Sequence, residues 1–378
     1  MVSKYINNAY KRQTFSKYEN LYLVCLILVG TIVRIIYHYN RPFIGDEVGT
    51  LIYTEKSISY ILSHFESWLT MNYFILLEKI VFRLSGHNQM VLAFIPFIAG
   101  ISTIPLTAIL AKHFTSTKVA LISATLVAMN SYLIHFSGII RSYSLLAALS
   151  LAVIILFFNW FSNRTYKNGV YVSVASYFLV LSHLNGIYVL AYILLILCID
   201  WFSMLARKEK SGVSTLLIPL FGSFLFMMAS YIKIFSGVFA WGIPYHDVPP
   251  TNIAYIPYVF SQYFGFGFYG WPSAVLMICA ALATFKYERP SLILWPYLIL
   301  PIILISVQGI SYFPWGYSRF LIILLPICII FIAEEIQRFS SFLVPDNSNV
   351  FGIFLTIMLL ITWGPNLQSG YETKFDYP

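Results

Sequence analysis

One acidic pair, Asp46-Glu47, follows the first apolar segment of the chain. A carboxylate at a membrane surface can act as a general base that takes a proton from an attacking hydroxyl group. It can also hold a divalent cation against a phosphate. An Asp-Glu dipeptide equally fits a solvated loop in which Asp46 caps a helix. Asp46 and Glu47 are therefore candidate catalytic residues, and a divalent cation at this position stays an open alternative.

Cationic and aromatic side chains lie at the ends of three later apolar segments: Arg141 with Tyr143, His183, and Arg319. A guanidinium group can hold a phosphate through two parallel hydrogen bonds, and a histidine can donate to a phosphate oxygen or carry a proton. Each also has an ordinary structural interpretation, because arginine extends to lipid headgroups and histidine can bond a neighbouring membrane helix. We predict Arg141, Tyr143, His183 and Arg319 as substrate-binding residues.

The composition is that of a membrane protein. Of the 378 residues, 59% are hydrophobic and only 10% are charged, whereas an ordinary soluble domain has about 25% charged residues. The mean hydropathy is +0.78. The net charge of +8 is spread over short segments between apolar runs, which argues against a nucleic-acid surface. The four cysteines lie within apolar runs and have no metal-ligand spacing, so they are interpreted as buried small side chains.

Apolar runs long enough to cross a bilayer, about 20 residues each, predict an all-α integral membrane protein with about eleven transmembrane helices. They are expected near residues 20–38, 89–111, 118–136, 143–162, 169–184, 185–205, 213–235, 272–285, 290–307, 319–337 and 348–364. Lys and Arg concentrate in the short segments that lie inside if the N-terminus is cytoplasmic, as the positive-inside rule requires. The whole chain, 1–378, then forms a single transmembrane domain, and all the candidate residues lie at its extracytoplasmic face.

Two long exterior segments follow from this topology. The first, 39–88, carries the acidic pair and an apolar stretch over 68–84 that includes charged residues, and this stretch is predicted to form a helix in the membrane interface. The second, 236–271, is rich in aromatic residues, Pro and Gly and is predicted to be an aromatic loop over the candidate site. A carboxylate that faces several cations can catalyse the transfer of a group from a phosphate to an acceptor. The carboxylate acts as the base that activates the acceptor, and the cations stabilise the leaving phosphate.

At these residues the chain resembles the GT-C superfamily of polyprenyl-phosphate-sugar glycosyltransferases. It is most similar to the bacterial branch related to protein O-mannosyltransferases and aminoarabinose transferases. The matching segments share the order and topology of that family's motifs: Gly45-Asp46-Glu47, the stretch 72–77 with Phe82-Arg83-Leu84-Ser85-Gly86, the stretch 136–145 with Arg141-Ser142-Tyr143, Leu181-Ser182-His183, and Ser318-Arg319-Phe320-Leu321. One departure is that the family's interfacial helix often opens with His-Pro-Pro, where this chain has Leu69-Thr70-Met71.

The resemblance implies transfer of a sugar from an undecaprenyl- or dolichyl-phosphate carrier to a glycan, lipid or protein acceptor, with inversion, on the outer side of the cell inner membrane. It implies Asp46 as the general base and Glu47 as an assisting acid. Arg141, Tyr143, His183 and Arg319 are then expected to contact the donor phosphate or the acceptor. No metal ligand is identified, because the histidine of the family's helix is missing.

Two other classes of function remain as alternatives. A flippase or transporter of lipid-linked glycans would carry polar residues near the bilayer midplane and often two related halves, whereas the charges here gather at the outer ends of helices. A non-catalytic member of an envelope-assembly complex is the second alternative, because each of the motifs is short.

Overall fold

The computed structural model describes residues 14–39, 41, 43, 45–63, 71–86, 88–207, 215–218, 220–221, 255–265, 270–286, 289–307 and 317–369. Most of the predicted aromatic loop 236–271 and of the predicted span 213–235 lies outside the described residues. The backbone of Asp46 belongs to a described helix, but its side chain is outside the described part.

The described part of the chain is helical throughout, without a β-strand. Sixteen α-helices are numbered here in chain order: α1 Lys17–His38, α2 Gly45–Glu55, α3 Ile58–Ser63, α4 Asn72–Ser85, α5 Gln89–Leu92, α6 Phe94–Phe114, α7 Thr117–Met129, α8 Ser131–Phe136, α9 Tyr143–Ser162, α10 Tyr166–Ser182, α11 Ile187–Arg207, α12 Tyr255–Phe264, α13 Trp271–Lys286, α14 Trp295–Val307, α15 Leu325–Leu343 and α16 Ser348–Ser369. Short 3-10 segments cover Leu184–Gly186, Pro290–Leu294, Tyr317–Leu324 and Pro345–Asn347.

Five stretches in the described residues are long and apolar enough to cross a bilayer: Lys17–His38, Phe94–Phe114, Tyr143–Ser162, Leu184–Ala206 and Pro345–Gly364. Shorter apolar stretches occupy Thr117–Met129, Trp271–Thr284 and Pro290–Ile303. The all-α, multi-pass membrane architecture predicted from composition is therefore confirmed, while the count of about eleven spans stays a prediction.

Helix α9 lies at the centre of the bundle and packs on α6 and α10. Its membrane-spanning window is 67% buried, whereas the corresponding windows of α1 and of the last spanning stretch are each 22% buried. A helix that is apolar all round belongs in the interior, and α9 fills it with large side chains such as Phe157, Phe158 and Trp160, each fully buried. The outer faces of α1 and α16 leave apolar side chains such as Ile32 and Ile361 exposed, as expected for surfaces that contact lipid.

One predicted span, 118–136, is in fact two helices with a break at Asn130. The Asn130 side chain accepts a hydrogen bond from the Leu133 N–H at 3.0 Å, which caps α8, and its amide donates to the Tyr263 carbonyl at 3.1 Å. Arg34 of α1 donates to the Ala128 carbonyl at 3.0 Å, where the carbonyl end of α7 favours a cation. The periodicity missed this break because both helices are uniformly apolar, although an asparagine is a common helix cap.

The helices α2, α3 and α4, which belong to the segment 39–88 that was predicted to be exterior, are tied to each other and to the bundle. Lys79 on α4 donates to the carbonyls of Thr54 and Lys56, each at 2.6 Å, and so caps the C-terminal end of α2. The Asn72 amide donates to the Ile61 carbonyl of α3 at 2.8 Å. Helix α4 also packs on α10. A helix was predicted over 68–84 and is observed at Asn72–Ser85; its location in the membrane interface stays a prediction.

Candidate active site

Helix α2 brings the acidic pair to the side of the bundle that carries the loop after α8. Glu47 is fully buried and forms a two-point ion pair with Arg41, with Arg41 Nη1 to Glu47 Oε2 at 2.8 Å and Arg41 Nη2 to Glu47 Oε1 at 2.5 Å. The same Oε1 atom accepts a hydrogen bond from the Ile140 N–H at 2.7 Å. Asp46 precedes Glu47 in the first turn of the helix, where the helix dipole favours a negative charge.

The turn formed by residues 137–141 connects α8 to the start of α9 and carries Arg141 at its end. The Arg141 guanidinium donates to the Thr50 hydroxyl of α2 at 3.3 Å. Thr50 lies one helical turn after Glu47, so both side chains face this turn. Helix α2 is therefore in direct contact with the segment that holds the first predicted substrate-binding residue.

Tyr143 is the centre of the candidate site. The Arg141 guanidinium carbon lies 5.9 Å from the centre of the Tyr143 ring, and the Arg319 guanidinium carbon lies 5.6 Å from it. The His183 ring lies 5.8 Å from the Tyr143 ring, centre to centre. These distances suit cation–π and aromatic contacts. The structure thus brings together all four residues that the sequence predicted as substrate-binding.

The local fold fixes the orientation of His183 and Arg319. His183 ends α10, is buried, and accepts a hydrogen bond from the Asn185 N–H on its Nδ1 atom at 3.1 Å. In a neutral imidazole the proton is then on Nε2, which becomes a hydrogen-bond donor. Arg319 lies in the 3-10 segment Tyr317–Leu324 and is also buried. A buried guanidinium group (Arg319), a half-buried one (Arg141) and an imidazole N–H around one ring are groups that can bind an anion.

Glu78 is a buried acid that the sequence analysis counted only among the charged residues of the stretch 68–84. Its side chain is fully buried on α4, and neither carboxyl oxygen has a hydrogen-bond partner among the described residues. Burial and the nearby charge of Glu47 raise the pKa of Glu78 to about 9, so this carboxyl group is protonated at neutral pH. The sequence showed an acid within the apolar stretch 68–84, but it did not show which face of the helix packs inward.

The described residues do not fit a metal site. They contain no group of three His, Cys, Asp or Glu side chains close enough to hold one ion. The oxygens of Glu47 are occupied by Arg41 and the Ile140 N–H, and Glu78 is protonated at neutral pH.

The bundle defines a polytopic membrane protein in which the cluster around Tyr143 lies beside helix α2. Its fold is similar to that of an archaeal oligosaccharyltransferase. The Archaeoglobus fulgidus oligosaccharyltransferase in complex with Zn and sulfate superposes with a TM-score of 0.59 at 17% identity, over 94% of this chain and 53% of that one. The same enzyme with an inhibitory peptide and a dolichol-phosphate gives 0.58 at 14% identity, over 96% and 56%.

A bacterial structure shows the same likeness. ArnT from Cupriavidus metallidurans bound to undecaprenyl phosphate superposes with a TM-score of 0.57 at 13% identity, over 93% of this chain and 76% of that one. No family model matches the sequence, and no curated protein sequence matches it. The likenesses confirm the predicted GT-C fold, and this chain spans little more than half the length of the archaeal enzyme.

Proposed function

We propose that this protein is a membrane glycosyltransferase that moves a sugar from a polyprenyl-phosphate carrier to an acceptor on the extracytoplasmic side. The observation that carries the proposal is the meeting of Arg141, His183 and Arg319 around Tyr143, next to the helix that holds Asp46. The fold adds support, since the similar structures were solved with dolichol-phosphate and with undecaprenyl phosphate.

In the proposed reaction Asp46 takes the proton from the acceptor hydroxyl group as that oxygen attacks the anomeric carbon of the sugar. The bond between the anomeric carbon and the phosphate oxygen breaks, and its electron pair leaves with the polyprenyl phosphate. Attack from the face opposite the leaving group inverts the anomeric configuration. The proton held by Asp46 is then lost to solvent.

The cations act on the leaving group. Arg141 and Arg319 donate hydrogen bonds to the phosphate, whose negative charge grows as the glycosidic bond breaks. The Nε2–H of His183 supplies a third donor from the corner between α10 and α11. The Tyr143 ring contacts both guanidinium groups, with Arg141 at 5.9 Å and Arg319 at 5.6 Å from the ring centre. All of these groups are placed before the donor binds, which is the condition under which electrostatic stabilisation costs the least reorganisation.

The proposed setting is the plasma membrane, with the N-terminus in the cytoplasm and the site outside. This orientation follows from the distribution of Lys and Arg in the short loops. Sugar acceptors at this face include glycans, lipids and protein side chains.

The experiment compares cells that carry the wild-type protein with cells that carry Asp46→Asn, using mass spectrometry of envelope glycans, glycolipids and glycoproteins. A glycosyl product that is present with the wild-type protein and missing with Asp46→Asn, at equal protein level, supports the proposal. Identical envelope profiles would overturn it. In proteoliposomes, movement of lipid-linked sugar across the bilayer without any transfer product would favour a flippase instead.

A further inference from the structure

The 137–141 turn is held from one side by four side chains, His38 and Arg41 at the end of α1 and Glu47 and Thr50 on α2. These four residues are called the exterior clamp. They come from the end of α1 and the start of α2. Two consecutive helices therefore contact one turn that lies about a hundred residues later in the sequence.

The charged half of the clamp binds the backbone of the turn at two points. Arg41 Nη2 donates to the Gly138 carbonyl at 2.8 Å, and Glu47 Oε1 accepts from the Ile140 N–H at 2.7 Å. Because Arg41 and Glu47 also pair with each other and are 6% and 0% exposed, the clamp places a neutral ion pair in the interior without leaving either charge uncompensated. Both oxygens of Glu47 are thereby engaged, which suits a positioning residue.

The His38 side chain determines how closely the turn approaches α1. The His38 Nε2–H donates to the Ile134 carbonyl at 2.8 Å, and the His38 ring lies directly against Gly138. A Cβ atom at Gly138 would overlap three atoms of that ring. Glycine at 138 is therefore required by close packing and not by an unusual backbone angle.

The opposite side of the turn is packed just as closely. A Cβ atom at Gly100 on α6 would overlap the Ser137 side chain. With glycines at 100 and 138, the turn is enclosed between α6 and the exterior clamp. The last residue of the turn, Arg141, then leaves this enclosure with its guanidinium between Thr50 and the Tyr143 ring.

We propose that His38 and Arg41 are positioning residues that act through Arg141 and set its guanidinium against the phosphate of the lipid donor. This inference rests on the proposed function, because it takes a lipid phosphate as the ligand of Arg141. It assigns a role in donor binding to the end of the first transmembrane helix, which touches no substrate itself. The backbone of Asp46, the proposed base, belongs to α2, the helix that also carries Glu47 and Thr50 of the clamp.

The test uses Gly138→Ala, which drives a methyl group into the His38 ring. The matched control is Gly49→Ala on α2, where an added Cβ atom meets nothing within 4 Å. Binding of undecaprenyl phosphate to the purified, detergent-solubilised full chain is measured for both variants. We expect Gly138→Ala to weaken binding about tenfold, the effect of about 1.4 kcal/mol, and Gly49→Ala to bind like the wild type.

Two double variants separate positioning from general damage. In an Arg141→Ala background, Gly138→Ala should cause no further loss of binding, because residues that act through one another are non-additive. His38→Ala alone should weaken binding as well, and adding Gly138→Ala to it should cause little further loss, because the ring that the methyl group meets is already absent. Thermal unfolding and gel filtration of each variant report whether the fold is intact.

The outcomes are distinct for the two proposals. Provided that the wild-type protein binds undecaprenyl phosphate, two results would overturn the positioning role and leave the glycosyltransferase proposal standing. One is equal binding by Gly138→Ala and Gly49→Ala. The other is full additivity of the binding losses caused by Gly138→Ala and Arg141→Ala. The expected non-additivity of Gly138→Ala with Arg141→Ala and with His38→Ala, without any glycosyl product in cells, would support the positioning role and count against the transferase. A wild-type protein that does not bind the lipid would overturn both.

Discussion

The guanidinium of Arg319 lies 5.6 Å from the ring centre of Tyr143, although the two residues come from opposite halves of the chain. Arg141 approaches the same ring at 5.9 Å. Both guanidinium groups bring positive charge to one ring, where they can donate hydrogen bonds to the phosphate of the proposed donor.

Replacing Arg141 or Arg319 by Gln should therefore lower kcat/KM for a polyprenyl-phosphate-sugar donor. A hydrogen bond to a charged group contributes about 1.5–3 kcal/mol, so the loss should be about 10- to 100-fold for each variant. Lys at either position should recover part of the activity, because it keeps the charge but not the two-point geometry.

The matched control for these variants is Arg83→Gln, since Arg83 is an exposed arginine on α4. It should retain wild-type kinetics in the same transfer assay. Equal losses at Arg83, Arg141 and Arg319 would mean that overall positive charge, and not this cluster, governs the interaction with the donor.

Asp46→Asn should reduce transfer by at least about 100-fold, the usual contribution of a positioned general base, with little effect on donor binding. Asparagine keeps the size of the side chain but lacks the carboxylate that accepts the proton. The measurement pairs a transfer assay with undecaprenyl phosphate binding to the same purified protein. Near-normal transfer by Asp46→Asn would remove Asp46 from the mechanism.

The sequence predicted the residues around Tyr143 for a physical reason. Placing charged and polar groups at membrane depth costs free energy, so such groups are usually found at helix ends. Arg141, His183 and Arg319 were therefore recognisable at the ends of apolar segments. One topology placed them at one face, and the fold brings them to one ring. The order of the motifs was sufficient for the GT-C resemblance, which the structural neighbours confirm for the fold.

The pairing of Glu47 with Arg41 could not be predicted in the same way. It depends on how the chain turns between α1 and α2 and on the rotation of α2, and neither leaves a periodic signal. The burial of Glu78 depends likewise on which face of α4 packs inward. Glu47 was predicted as an assisting catalytic acid, and the structure places its oxygens on Arg41 and the Ile140 N–H; whether it touches substrate stays a prediction.

Lys79→Met should loosen the exterior helices without removing a substrate contact. The ammonium group is buried and donates to the Thr54 and Lys56 carbonyls, and methionine keeps the length of the side chain while losing both hydrogen bonds. Leaving two carbonyls unsatisfied should cost about 1–3 kcal/mol. Hydrogen–deuterium exchange should then be faster in residues 45–63, while Lys56→Met, at an exposed side chain, should leave exchange in that segment unchanged.

Glu78 should make the stability of the protein fall as the pH rises. Its pKa is about 9 in the folded protein and close to the ordinary glutamate value when unfolded. Between these two values the folded state holds a proton that the unfolded state has released, so the stability contributed by this group is highest below about pH 4.5 and is lost as the pH rises towards about 9. Glu78→Gln, which is neutral at every pH, should remove this dependence.

The stabilising effect of Glu78→Gln relative to the wild type should therefore grow with pH. Each pH unit in this window corresponds to up to about 1.4 kcal/mol, so the difference should increase by about 1–3 kcal/mol from about pH 6 to about pH 8. Thermal unfolding in detergent measures it, and Glu55→Gln on the exposed end of α2 is the control. A constant difference between Glu78→Gln and the wild type across this range would show that Glu78 is ionised in the folded protein, which would require a cationic partner or a bound cation beside it.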